Sequence, residues 1–178
     1  MKYREKTIWM TRTAAFIALV IVLQAVTAPL GNTLVTGTLV NAVLIVAVMT
    51  GGLLSGAGVG AVSPVMAKLV GIGPLWSLIP FIALGNMTLV LVWHLVGNGP
   101  WGRRFFPGAA AVLAGAGAKF LVLYIGIVRL AVPILLKLPQ PQAAVVSGMF
   151  SVPQLITALL GGALALPVLG VLRRSRFF

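Results

Sequence analysis

The amino-acid sequence predicts an all-α membrane protein, a bundle of six transmembrane helices with both termini on the cytoplasmic side. Three observations lead there. Of 178 residues, 60% are hydrophobic and only 8% charged, with a mean hydropathy of +1.13, far outside the range of soluble domains. Glycine, proline and polar residues divide the chain into six apolar runs, each near the length of about 20 residues that crosses the hydrocarbon of a bilayer. Lysine and arginine, finally, gather on alternate connections, as cytoplasmic segments do.

The first span is 8–28, closed by Pro29, Gly31 and Asn32. Lys2, Arg4 and Lys6 ahead of it also suit a cleaved signal peptide, but the run is long, carries Arg12 and Gln24, and lacks a small-residue cleavage site before Pro29. It is read as a retained helix. Spans two and three, 38–54 and 56–72, are short and rich in small residues; Gly71, Gly73 and Pro74 end the third. Span four is 75–96, closed by Gly97, Asn98, Gly99 and Pro100. Span five, 107–136, carries Pro133 as an expected break before the Pro139-Gln140-Pro141-Gln142 loop, and span six, 145–172, contains Pro153 and Pro167. This order puts Lys2, Arg4, Lys6, Arg12, Arg103, Arg104, Arg173, Arg174 and Arg176 inside. The outer side keeps Lys137 and, near span ends, Lys68 and Arg129.

Composition also removes function classes. The formal charge is +12, from 13 basic residues against one acid, Glu5. In a soluble chain that would suggest nucleic acid; here lipid and topology account for it, and no nucleic-acid partner is expected. No cysteine is present, and one histidine, His94, and one glutamate are all that remain for acid–base work. Carboxylate pairs, two-metal sites and a Ser-His-Asp triad cannot be assembled within this chain, so an enzyme, a cofactor and a metal site are not expected.

Helices in lipid associate through residues that let backbones approach closely. Gly52, Gly56 and Gly60 form a tandem small ridge across spans two and three, and Ala109, Ala110, Ala111, Ala114, Gly115, Ala116, Gly117 and Ala118 do so for span five; internal packing is the plain reading of both. Gly115 to Lys119 lacks the spacing and the following Ser/Thr of a phosphate loop, so ATP energy would have to come from another chain. Ala14 and Ala18 make a further small pair in span one.

With these features in hand, the chain resembles the substrate-binding S component of an energy-coupling factor (ECF) type vitamin transporter. The resemblance rests on the basic amino terminus, Ala14-x-x-x-Ala18, the outer loop from Pro29 to Gly37, and Thr38-Leu39-Val40-Asn41-Ala42. It continues through the glycine-rich turn from Gly51 to Gly60, Ile79-Pro80-Phe81-Ile82-Ala83-Leu84-Gly85-Asn86, and Ser151-Val152-Pro153-Gln154-Leu155. It implies a plasma-membrane protein of a prokaryote that captures a micronutrient near the outer face. The same resemblance implies partners, a transmembrane coupling subunit and two cytoplasmic ATPases, with Ala14 and Ala18 as the docking face.

Intramembrane polar residues are costly and are candidates for function. Lys119 falls near the midplane of span five with no acidic residue in the membrane to balance it. Arg129 lies about 80° around the same helix on an α-helical step, and Lys68 near the outer end of span three. A cation so placed snorkels to an interface, caps backbone carbonyls, or meets an anionic ligand. For Lys68 and Arg129 snorkelling and binding both stand. Lys119 points to an anionic, carboxylate-bearing vitamin or precursor. Asn41, Asn86 and Gln154 either hydrogen-bond that ligand or join helices to one another. Trp76, Trp93 and Trp101 suit interfacial anchoring, Trp76 with Phe81 alternatively an aromatic wall. Two other classes compete: a structural or assembly subunit that binds no solute, and a self-sufficient secondary transporter, which the lack of membrane Asp and Glu disfavours.

Overall fold

A computed structural model describes residues 2–73, 75–97 and 107–174, which are helical almost throughout, with no strand among them. Helix α1 is Lys2–Thr27, α2 Thr33–Gly51, α3 Leu53–Leu69, α4 Ile79–Gly97, α5 Pro107–Leu123, α6 Gln140–Met149 and α7 Val152–Arg174. Short 3-10 turns at Ala28–Leu30 and Trp76–Leu78 precede α2 and α4. Trp101, Arg103, Arg104 and Arg176 lie outside the described residues.

Among the described residues, five helical stretches are long and apolar enough to cross a membrane: Lys6–Leu30, Thr33–Gly51, Trp76–Gly97, Gly108–Leu135 and Gln140–Arg174; α3 is a shorter apolar helix. The side chains are distributed to suit lipid. Leu54, Leu95, Leu113, Leu121 and Val171 stand exposed on the outside, whereas Gln24, Asn41, Ser63, Asn86, Lys119 and Thr157 are buried inside. A soluble domain does the reverse.

Several boundaries differ from the sequence expectation for local reasons. Helix α2 begins at Thr33 rather than 38 because Asn32 caps it, its side chain accepting from the Leu34 and Val35 amides. Gly52 is no part of the small ridge: at φ +82 it is the corner between α2 and α3, with nothing near its missing Cβ. Pro133 does not break span five. The helix continues from Tyr124 to Leu135 with wider turns, and the Leu136 amide reaches back to the Ala131 carbonyl. Such winding is a way to carry a proline, which lacks an N–H and crowds the carbonyl four residues back. The expected sixth span is divided instead at Phe150 and Ser151 into α6 and α7.

The glycines inside helices mark where backbones touch. A Cβ on Gly56 would lie 2.7 Å from Val48 and 2.9 Å from Val90, binding α3 to α2 and α4 together. Gly85 meets Leu123, Gly115 meets Trp93, and Gly162 meets Val112, so α4, α5 and α7 pack as antiparallel neighbours in turn. Gly37 and Gly161 against Thr157 and Asn41 set α2 and α7 side by side and parallel. The apolar core so enclosed centres on Leu44, Ile45, Val48, Val59, Leu89 and Trp93. A second cluster, Leu78, Leu123, Ile127, Val132, Val146 and Phe150, joins the Tyr124–Leu135 segment to α6.

These approaches yield a matched pair of substitutions. At position 161 a methyl group would sit 2.5 Å from the Asn41 Cβ and 2.9 Å from the Thr38 carbonyl, whereas at position 117 nothing lies within 4 Å. Gly161→Ala should cost about 1–3 kcal/mol by overpacking. Gly117→Ala should be neutral or stabilising by up to about 1 kcal/mol. Reversible unfolding in mixed micelles measures both, and equal effects would contradict the packing described.

Candidate functional site

A cavity of about 140 Å³ lies among the helices, at the end of the bundle where α1 ends and α2 begins, α3 ends and α4 begins, and the stretch 136–151 leads into α7. Gln24, Thr36, Asn41, Ser63, Lys68, Asn86, Lys119 and Gln154 supply its polar lining, and Ile72, Leu75, Ile79, Ile82, Met149 and Phe150 much of its apolar lining.

Lys119 comes from the middle of the stretch formed by α5 and its continuation to Leu135, and is 4% exposed. Its Nζ donates to Asn41 Oδ1 at 2.6 Å and to Asn86 Oδ1 at 2.7 Å. These are short, charge-assisted hydrogen bonds. An ammonium carries three N–H groups, so one is left for whatever occupies the cavity that Lys119 lines. The two amides are held the right way round by what their nitrogens do. Asn86 Nδ2 donates to the Gly60 carbonyl at 3.2 Å and to Ser63 Oγ at 3.1 Å; Asn41 Nδ2 donates to Thr157 Oγ1 at 3.4 Å. Each amide therefore turns its oxygen to the ammonium.

The Gly60 carbonyl is open for a reason written in the sequence. In a regular helix it would accept the amide of residue 64, but Pro64, inside α3, has none. In lipid such a freed carbonyl needs a partner, and Asn86 provides it. A side-chain amide also meets a carbonyl at the head of α7: Met149 closes α6, where the last carbonyls have no donor within the helix, and Gln154 Nε2 donates there at 3.2 Å. On the other flank, Gln24 Nε2 donates to the Ser63 carbonyl at 3.1 Å. The resulting chain of contacts takes one polar residue from each of α1, α3, α4, α5, α2 and α7, in the order Gln24, Ser63, Asn86, Lys119, Asn41, Thr157.

Five of the residues singled out from the sequence thus meet in one cavity: Lys119, Asn41, Asn86, Lys68 and Gln154. Lys68, near the end of α3, lines it while donating to the Gly73 carbonyl at 3.2 Å. Two others do not join them. Trp76 is 56% exposed on the turn before α4 and does not line the cavity. Arg129 is exposed as well, its guanidinium 5.4 Å from the centre of the Tyr124 ring, which itself stacks on Phe120. The 80° angle between Lys119 and Arg129 assumed an α-helical step, and the wider winding after Tyr124 turns fewer degrees per residue. Phe81 packs against the second apolar cluster and Trp93 is buried rather than interfacial. Sequence reading passed over Gln24, Thr36, Ser63 and Thr157 as site residues. Pro64, four residues after Gly60, is the signal that could have directed attention to Ser63 and to the partner of Asn86. Ala14 and Ala18 lie exposed on the outer face of α1, away from the cavity.

Compared with family models, with curated proteins and with solved structures, the chain matches none.

The paired acceptors of Lys119 make a double-mutant cycle informative. Asn86→Leu takes one acceptor from the ammonium and reopens the Gly60 carbonyl, and should destabilise the fold by about 1–3 kcal/mol. Adding Lys119→Met removes the stranded charge, so the double variant should cost less than the sum of the singles by about 1 kcal/mol or more. Strict additivity in denaturant titrations would mean that the contact contributes nothing.

Proposed function

We propose that this chain is the substrate-binding S component of an ECF-type importer. In this reading six spans cross the plasma membrane of a prokaryote with both termini inside, α3 being the shortest and α6 with α7 making the sixth. The cavity then lies at the outer side. The ligand is a small anion, a carboxylate-bearing vitamin or precursor, received by Lys119 at the cavity floor with Lys68 near its mouth and Asn41, Asn86 and Gln154 holding the walls in register. A separate transmembrane coupling subunit and two ATPases supply the energy, and the exposed Ala14 and Ala18 give a smooth strip on α1 against which another helix can lie closely.

One observation carries the reading: a buried lysine lines a cavity in a chain whose sole acidic residue is Glu5, near the amino terminus. Neutral amide oxygens soften the cost of that charge without cancelling it, and an anion entering the cavity would cancel it. The favourable step is therefore ligand entry itself. A second reading draws on the same contacts. Because two of the three ammonium hydrogens already have internal acceptors, Lys119 also suits a purely structural pin, in an assembly subunit that binds no solute.

Binding decides between them. A binding subunit melts higher in the presence of its ligand by RT ln(1 + [L]/Kd), which is about 2.7 kcal/mol at a hundredfold excess over Kd. Purified protein in nanodiscs, screened against carboxylate-bearing and neutral vitamins, should be stabilised by an acid. Lys119→Met should weaken that binding by more than about tenfold, the loss of one charge-assisted contact. Stabilisation by neutral compounds alone would remove the anion reading, and none by any compound would favour the structural pin. Ala18→Trp should abolish co-purification with a coupling subunit while leaving the ligand-induced shift in place; retained co-purification would move the docking face elsewhere.

A further inference from the structure

Among the described residues, Gln24 is the cavity-lining residue with a buried side-chain atom that has no hydrogen-bond partner. Its side chain is 3% exposed. Nε2 donates to the Ser63 carbonyl, and since that carbonyl can only accept, the contact fixes which end of the amide is nitrogen. The other end, Oε1, is buried without a hydrogen-bond partner among the described residues. Buried amide oxygens in folded proteins nearly always have a donor, and an exception calls for an explanation. The explanation offered by position is the cavity, whose wall Gln24 shares with Asn86 and Lys119. Three hydroxyls on the same helices have other partners: Thr27 Oγ1 donates to the Leu23 carbonyl, Thr36 Oγ1 to Thr27 Oγ1, and Ser63 Oγ lies against the Gly60 carbonyl and Asn86.

Resting on the reading of this cavity as an anion-binding site, we infer that its ligand is a compact, single-ring acid that also bears an N–H or O–H group, which Gln24 Oε1 accepts. Size supports the single ring: an apolar protein cavity of about 150 Å³ holds one benzene molecule, and this one measures about 140 Å³. Polarity supports the two poles. Lys119 offers a positive donor, and Gln24 offers an acceptor on a different helix, so a ligand satisfying both is oriented as well as held. Oε1 itself is buried, so the contact forms when the Gln24 side chain turns that oxygen into the cavity, a rotamer change of the kind common on binding. A ligand without the donor leaves the oxygen as it stands, closed off and unpaired. Sites built to hydrogen-bond a substrate group discriminate strongly against analogues that lack it.

The test uses matched single-ring probes on the full-length protein in nanodiscs, read by thermal shift and calorimetry: the hydroxybenzoate isomers, the fluorobenzoate isomers, benzoate, and the hydroxybenzamides. Fluorine removes the donor at little change of size; the amide removes the charge. At least one hydroxybenzoate should bind about tenfold or more tighter than the fluorobenzoate of the same geometry. In Gln24→Met that ratio should fall to near one. Equal binding of hydroxy and fluoro acids, or a ratio that survives Gln24→Met, overturns the donor while leaving anion capture standing. Hydroxybenzamides binding as well as hydroxybenzoates overturn anion capture itself, and no binding by any benzoate overturns both. The wild-type comparison of hydroxy with fluoro acids decides the point even if Gln24→Met fails to fold.

Discussion

The placement of one ammonium group governs this structure. Lys119 is buried at the meeting point of the helices, in a chain with no acid there to pair with it, and its charge is tolerated because two asparagine oxygens are brought to within 2.7 Å. Neither asparagine is free to turn, since its nitrogen is engaged by a different helix. Burial of the charge, orientation of the amides and the seating of α2, α3, α4 and α7 about α5 are consequently one constraint. Shifting any of these helices by even a fraction of a turn would strand a polar group in a low-dielectric interior, where an unmet hydrogen bond is expensive.

The backbone prepares this arrangement. Pro64 deletes an amide hydrogen inside α3, and the freed Gly60 carbonyl is met by Asn86; where α6 ends, Gln154 meets the Met149 carbonyl. Proline thereby converts a main-chain hydrogen bond, which only holds a helix, into a side-chain bond that positions a cavity wall. Glycine plays the complementary part. At Gly56, Gly85, Gly115 and Gly161 the absence of a side chain lets the helices come close enough for groups on different helices to reach each other.

Outside this polar layer the molecule is organised for lipid. Leucine and valine cover the exterior, and the apolar core around Leu44, Leu89 and Trp93 lies one turn along from Asn41 and Asn86. The cavity is consequently bounded by packed hydrocarbon on one side and by short connections on the other. That asymmetry sets the cavity toward the connection end of the bundle, with Lys119 at the bottom.

Composition and the spacing of apolar runs were enough to establish a helical membrane bundle, because hydrophobic length is a local property of the chain. The absence of acids was likewise plain from the sequence, and it made Lys119 conspicuous. Asn41, Asn86 and Gln154 stood out as amides in apolar surroundings, but their mutual orientation was invisible, since it depends on contacts between residues as far apart as 41 and 157. Local winding decided other points. The widened turns after Tyr124 carried Arg129 away from the cavity, Gly52 became a corner, and Trp76 was turned outward. Gln24 and Ser63 acquired significance only once α1 and α3 lay side by side. The sequence by itself determined the solvent, the secondary structure and the uncompensated charge. Tertiary structure decided which polar groups surround that charge, because hydrogen bonds between helices are set by where backbones can approach, and no single segment contains that information.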